Sequence, residues 1–312
     1  MQNLIVAFNA IAPIFLLIAA GFAIRRFGLL RDDALPQVNR LAFTVFLPAL
    51  LFNNLYETDI GSAFSPRLLA FAVVIVLVMY AVVTGLVRLI EKNNKSRGAM
   101  IQAIYRSNFV LLGVPVVQSV FAGQDSGVTA VLVAVVVPLF NVLAVVTLEM
   151  YRGGSVQWKK VAVGIAKNPL IIGSMLGLLC MLAGIQLPVF VRSGISSLAG
   201  AATPVALVVL GASIHLESVG ANARSLAICV VGRLIAVPLA GITAAILCGF
   251  RGIELGSLLA MLASPTAVSS FTMAQQMDSD AELTAGAVVF SSAFACLTLF
   301  LWIFLLKQLG FM

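Results

Sequence analysis

Asn108-Phe109-Val110-Leu111-Leu112-Gly113-Val114-Pro115 and Ser264-Pro265-Thr266 are the stretches that decide the fold. Each sets a proline among polar or glycine neighbours, in the middle of a run apolar enough to lie in hydrocarbon. Proline in a helix interior removes a backbone hydrogen bond and drives its ring into the preceding turn, at a cost of ~3 kcal/mol or more. In lipid the freed carbonyls need partners, so such breaks persist only where protein buries them or water reaches them. A lone proline reads as a kink. A matched pair, one in the fourth apolar run of each half of the chain, reads as two broken helices meeting at a binding site.

Outward from these stretches the apolar runs fall near residues 4–24, 36–55, 67–90, 99–121, 127–150, 162–183, 195–216, 225–249, 254–276 and 281–306. Each is close to the ~20 residues that span ~30 Å of hydrocarbon. Charged residues make up 10% of the chain, against about 25% in soluble domains. The mean hydropathy of +1.10 is that of a protein whose exterior solvent is lipid. The net charge of +7 is spread in short clusters between apolar runs, with no basic stripe interleaved with aromatics, so nucleic acid is not an expected partner. Cys180, Cys229, Cys248 and Cys296 lie in apolar stretches without metal-binding spacing, and no metal or cofactor is expected. The first run lacks a basic leader and is followed by Arg25 and Arg26, which favours an uncleaved first span with its N-terminus outside.

That orientation places fifteen Lys and Arg residues on the inner side and leaves four, Arg67, Arg192, Arg251 and Lys307, for the outer side. The positive-inside bias supports it and puts both termini outside. The basic stretch 151–167 divides residues 1–150 from 162–312, with five spans in each part. An odd number of spans per half gives the halves opposite topology, the arithmetic of an inverted repeat. Leu47-Pro48-Ala49 and Thr203-Pro204-Val205 punctuate the second span of each half in the same way.

Half-helices starting after Pro115 and Pro265 would aim N-terminal amides, and about +0.5 charge each, at one point. That suits an anion, a carboxylate above all. Asn108, Gln118 and Ser119 flank the first break, and Ser264, Thr266, Ser269, Ser270 and Thr272 the second. Arg233, inside the eighth span, either pairs with a substrate anion, holds a broken-helix carbonyl or snorkels to the interface. Arg106 and Glu149 read as interfacial, and His215 beside Glu217 as an interfacial histidine or a proton carrier. Asp125, Asp278, Asp280 and Glu282 read as loop residues. The sequence holds no HExxH, GxSxG or Walker motif, so neither an enzyme nor direct ATP coupling is expected.

Asn39-Arg40 with Phe46-Leu47-Pro48-Ala49-Leu50-Leu51, the Asn108–Pro115 stretch, Leu210-Gly211, Arg233-Leu234 with Pro238, Ser264-Pro265, and Asp278 with Ala285-Gly286 occur in order over nearly the whole chain. Together they resemble the auxin efflux carrier family, which includes the plant PIN-FORMED exporters and bacterial permeases. The resemblance implies an all-α polytopic membrane protein with ten transmembrane helices in two inverted five-helix repeats, helices 4 and 9 being broken and crossed, as in bile-acid symporters. It implies a scaffold of helices 1, 2, 6 and 7, a transport domain of helices 3–5 and 8–10, elevator-type alternating access and a homodimer. Asn108 falls where the plant members contact the substrate carboxylate. The expected substrate-binding set is Asn53, Asn108, Gly113, Val114, Pro115, Gln118, Arg233, Ser264, Pro265 and Thr266. The long hydrophilic loop of the plant members is missing from 151–167, so the resemblance is to bacterial members, linked to malate, malonate or similar carboxylates. The expectation is a secondary transporter of organic anions, small carboxylates or auxin-like acids, in a bacterial plasma membrane. The alternatives are a sodium- or proton-coupled symporter of another substrate class and a non-transporting receptor.

Overall fold

Helices account for all the regular structure among the described residues of a computed structural model, which are 2–30, 33–58, 65–121, 127–152, 158–213 and 222–312; for 2–11 and 158–161 only the backbone is described. His215, Glu217 and Asp125 lie outside the described residues. In chain order the helices are α1 (Gln2–Arg26), α2 (Leu35–Tyr56), α3 (Pro66–Ile90), α4 (Asn94–Tyr105), α5 (Phe109–Val120), α6 (Gly127–Tyr151) and α7 (Trp158–Lys167). They continue as α8 (Pro169–Leu182), α9 (Val189–Ala212), α10 (Ala223–Leu247), α11 (Gly252–Ala263), α12 (Ser269–Gln276) and α13 (Ala281–Gln308). Six of these, α2, α3, α6, α9, α10 and α13, are each long and apolar enough to cross a bilayer, and α5, α8 and α11 are shorter apolar helices. The protein is therefore a multi-pass membrane protein.

Proline is absorbed in two different ways. Pro48, Pro115 and Pro238 each follow a five-residue π-helical turn, at Ala42–Phe46, Phe109–Gly113 and Gly232–Ala236 respectively. The wider π turn shifts the hydrogen-bond register just where the ring lacks a donor, so the helix continues through the proline. Pro204 and Pro138 sit inside α9 and α6, neither of which is interrupted. The break of the fourth apolar run is thus not at Gly113-Val114-Pro115. The chain leaves the helix at Arg106-Ser107-Asn108, and its second half starts at Phe109. The other break does fall at Ser264-Pro265-Thr266, between α11 and α12.

The two breaks touch. Ser107 and Thr266 form an isolated antiparallel bridge, and the Asn108 N–H donates to the Pro265 carbonyl at 2.7 Å. Thr266 Oγ1 donates to the Ala103 carbonyl at 2.8 Å, while the Thr266 N–H donates to Ser291 Oγ of α13 at 3.0 Å. Backbone polar groups that a break would orphan in an apolar medium are in this way bonded across the crossover.

Around it the helices pack in two groups. α1, α2, α8 and α9 form one group, α1 packing on α9, α9 on α2 and α2 on α8, and α3–α6 pack with α10–α13; α1 also packs on α5 and α13, and α6 on α8. Small residues set the spacing of the first group. A Cβ on Gly21 would collide with the Val208 carbonyl and one on Gly211 with the Ile18 carbonyl, so α1 and α9 meet backbone to backbone. Gly173 and Gly177, four residues apart on α8, would each place a Cβ 2.6 Å from a carbonyl of α2, at Pro48 and Phe52.

Gly211→Ala should therefore push α1 from α9 and destabilise the protein by about 1–3 kcal/mol. Gly85→Ala, with nothing near its Cβ, should be neutral or slightly stabilising. Melting of both variants in detergent checks this; equal melting temperatures would mean that the α1–α9 contact does not set stability.

Candidate functional site

A small cavity lies where the crossover faces the first helix group. Its lining comes from α2 (Leu47, Leu50, Leu51, Asn54), from Leu170 of α8 and from Thr203 and Ala206 of α9 on one side. The other side is Arg106-Ser107-Asn108 with the first turn of α5, Val137, Phe140 and Asn141 of α6, and Ala267-Val268-Ser269. The volume is about 70 Å³, against ~10–15 Å³ for one water. It admits several waters or one small anion.

Arg106 dominates its chemistry. Only 4% of the residue is exposed. Its guanidinium donates to Asn141 Oδ1 at 2.5 Å, Ser269 Oγ at 2.8 Å and the Met273 sulfur at 2.8 Å. All three partners are neutral, and among the described residues no Asp or Glu lines the cavity. Each partner faces Arg106 from a different element than its own, α6 or α12, so the cation is held in place without being neutralised. Next to it, Asn108 Nδ2, Asn141 Nδ2, Asn54 Nδ2 and Ser107 Oγ are buried with no hydrogen-bond partner. An unpaired buried donor costs about 1–3 kcal/mol, and these cluster on one cavity. The starts of α5 and α12 add orphan backbone N–H groups and the positive ends of two helix dipoles. Donors and positive charge converge here, a setting for an anion with several acceptor oxygens.

Arg233 has a different task. It is fully buried away from the cavity, and its two terminal nitrogens donate to the carbonyls of Ile104 (3.0 Å), Tyr105 (2.8 Å), Met261 (3.4 Å) and Leu262. These are the last carbonyls of α4 and α11, the two helix C-terminal ends at the crossover. Of the alternatives left open by sequence, it is the one that holds broken-helix carbonyls.

Of the other expected site residues, only Asn108 lines the cavity. Ser264, Pro265 and Thr266 form the crossover behind it. Gly113 packs α5 against α11, where a Cβ would come 3.0 Å from the Ala260 carbonyl. Val114 and Pro115 are half-buried beyond the lining, Gln118 is exposed, and Asn53 sits one position from the lining residue Asn54. Arg106, expected at the interface, is the main difference: the helix ends beside it, at Arg106-Ser107-Asn108, rather than at Gly113-Val114-Pro115. Asn141 was not singled out, although an amide in the middle of an apolar run carries the same burial signal as Asn108. Of the residues read as loop, Asp280 caps α13 by accepting from the Leu283 N–H at 3.0 Å, Glu282 lies in that helix's first turn, and Asp278 pairs with Lys95 at 2.6 Å.

A family described as "Membrane transport protein" matches residues 6–303. The chain is 22% identical over 304 residues to an uncharacterized transporter of Methanocaldococcus jannaschii, covering 94% of this chain and 97% of that one. It is 23% identical over 309 residues to an uncharacterized transporter of Methanothermobacter thermautotrophicus, covering 94% and 96%.

Arg233→Lys keeps the charge but loses the fork that reaches two helix ends. It should lower stability by roughly 3 kcal/mol, the scale for breaking a buried charge network. A detergent-solubilised melting curve indistinguishable from wild type would show that the four carbonyls do not need the guanidinium.

Proposed function

We propose that this chain, which belongs to the membrane transport protein family, the family of the auxin efflux carriers, is a secondary transporter of organic anions, with small carboxylates as the preferred class. The observation that carries the reading is Arg106, a buried cation with only neutral partners, beside unpaired amide and hydroxyl donors in one cavity. A carboxylate would accept from Arg106, Asn108, Asn141 and Ser107 and satisfy groups that otherwise stay unpaired. The cavity's size supports small acids over bulky indole acids. A bound cation would sit against the Arg106 guanidinium, and the described lining offers no carboxylate to offset that repulsion.

The cavity's position between the two helix groups supports an elevator-type mechanism. In this reading α1, α2, α8 and α9 are the scaffold, and the crossover moves with α3–α6 and α10–α13. Counting α4 with α5 and α11 with α12 gives ten crossings in two inverted sets, joined by the linker that contains α7. The Lys and Arg asymmetry supports termini outside a bacterial plasma membrane. A homodimer completes the proposal, with the apolar outer surface of α8 and α9, which exposes Met175, Leu176, Leu179 and Leu198, facing lipid or the second copy.

In proteoliposomes the full chain should carry labelled malonate or acetate. Arg106→Gln and Asn108→Ala should each lower the flux by about tenfold or more, equivalent to ~1.4 kcal/mol, while melting as wild type does. Gln118→Ala should leave flux unchanged. Full flux in Arg106→Gln would remove the site; no flux of any carboxylate by wild type would remove the anion-transport reading.

A further inference from the structure

Resting on that reading, we infer that the protein is an anion exchanger: the cavity crosses the membrane readily when an anion fills it and poorly when it is empty. The inference comes from the unequal charge on the two sides of the crossover. On one side, the C-terminal ends of α4 and α11 carry about −0.5 each, and Arg233, bonded to both, offsets them. On the cavity side, the charge of Arg106 adds to the N-terminal ends of α5 and α12. Among the described residues no acidic side chain lines that side.

The surface past which this charge must travel is apolar. Leu47, Leu50, Leu51, Leu170 and Ala206 make up most of what the first helix group presents to the cavity, with Asn54 and Thr203 its polar exceptions. Moving a bare guanidinium over such a surface removes water and supplies no counter-charge, which is costly for an ion even when hydrogen-bonded. A bound monocarboxylate such as acetate cancels the charge, a dicarboxylate such as malonate removes the bare positive charge, and either occupies the unpaired donors, so the filled cavity moves without an uncompensated cation. The membrane potential works in the same direction. Return of the empty cavity from inside to outside carries a positive charge against an inside-negative potential, at ~2.3 kcal/mol per elementary charge for each 100 mV. The empty return step then limits net transport, and a second anion loaded at the inner face removes that limit.

The experiment compares initial rates of labelled acetate or malonate uptake into proteoliposomes of the full chain, either loaded with the same unlabelled acid or empty, with the potential clamped at zero. Uptake into loaded vesicles should be at least about tenfold faster. In empty vesicles, acetate uptake should slow further when the inside is made negative, whereas acetate–acetate exchange should not respond. Equal initial rates in loaded and empty vesicles, with flux present, would overturn the exchange inference and leave the transport reading standing. Absence of flux in both would overturn the transport reading itself. As a second measurement, Arg106→Gln should bring the loaded-to-empty ratio toward one in whatever flux remains, and an undiminished ratio would show that another group sets it.

Discussion

Arg233 joins the last carbonyls of α4 to those of α11, and most of the architecture near the cavity depends on that contact. A helix that stops inside hydrocarbon leaves carbonyls that water cannot reach, each costing several kcal/mol if unpaired. Two helices that stop side by side share the problem, and one planar guanidinium with donors on both terminal nitrogens solves it for both. The same contact ties the positions of the two breaks together. The bridge between Ser107 and Thr266 and the bond from the Asn108 N–H to Pro265 can form because the preceding helix ends are already held in register.

Once the C-terminal ends are balanced, the N-terminal ends define the site. α5 and α12 start at the crossover and, among the described residues, have no acidic residue beside them on the cavity. Arg106, at the residue where α4 ends, is anchored by Asn141 from α6 and by Ser269 and Met273 from α12. Those bonds fix the direction of the guanidinium without cancelling its charge. Had a carboxylate held Arg106, an incoming anion would have had to displace it, and the resting site would have been neutral.

The sequence was most legible where hydrophobic length decides structure. The long runs became helices within a few residues, apart from the seventh, which starts earlier, at Val189, and the sixth, which is cut at Asn168 into α7 and α8. It was less legible wherever the exact phase of a helix matters. Pro115 carries the break signal by composition, yet the π turn at Phe109–Gly113 absorbs it and the chain opens at Arg106–Asn108 instead. Sequence offers no sign of which of several polar residues will leave the helix, because that is settled by the partner break that stacks on it. The same displacement moves Arg106: with the break at Pro115 it lies toward the end of the span, and with the break at Arg106–Asn108 it lines the cavity. Asn53 and Asn54 differ by one position, about 100° around the helix, and only Asn54 reaches the lining.

The distribution of donors also bears on how firmly such a site holds its ligand. A transporter must release what it binds, so a site built from many charges would be a trap. Here one full charge is surrounded by neutral donors that already have partial partners or none: the oxygen of Asn141 is taken by Arg106 while its nitrogen is unpaired, and Asn108 has its backbone N–H committed to Pro265 and its side-chain nitrogen unpaired. Each such neutral bond contributes on the order of 0.5–1.5 kcal/mol net. In the proposed reading they would, together with Arg106, select a carboxylate by its geometry and sign while keeping its total binding moderate. The strong interactions in this region, those of Arg233, are spent on the backbone, where they do not have to let go.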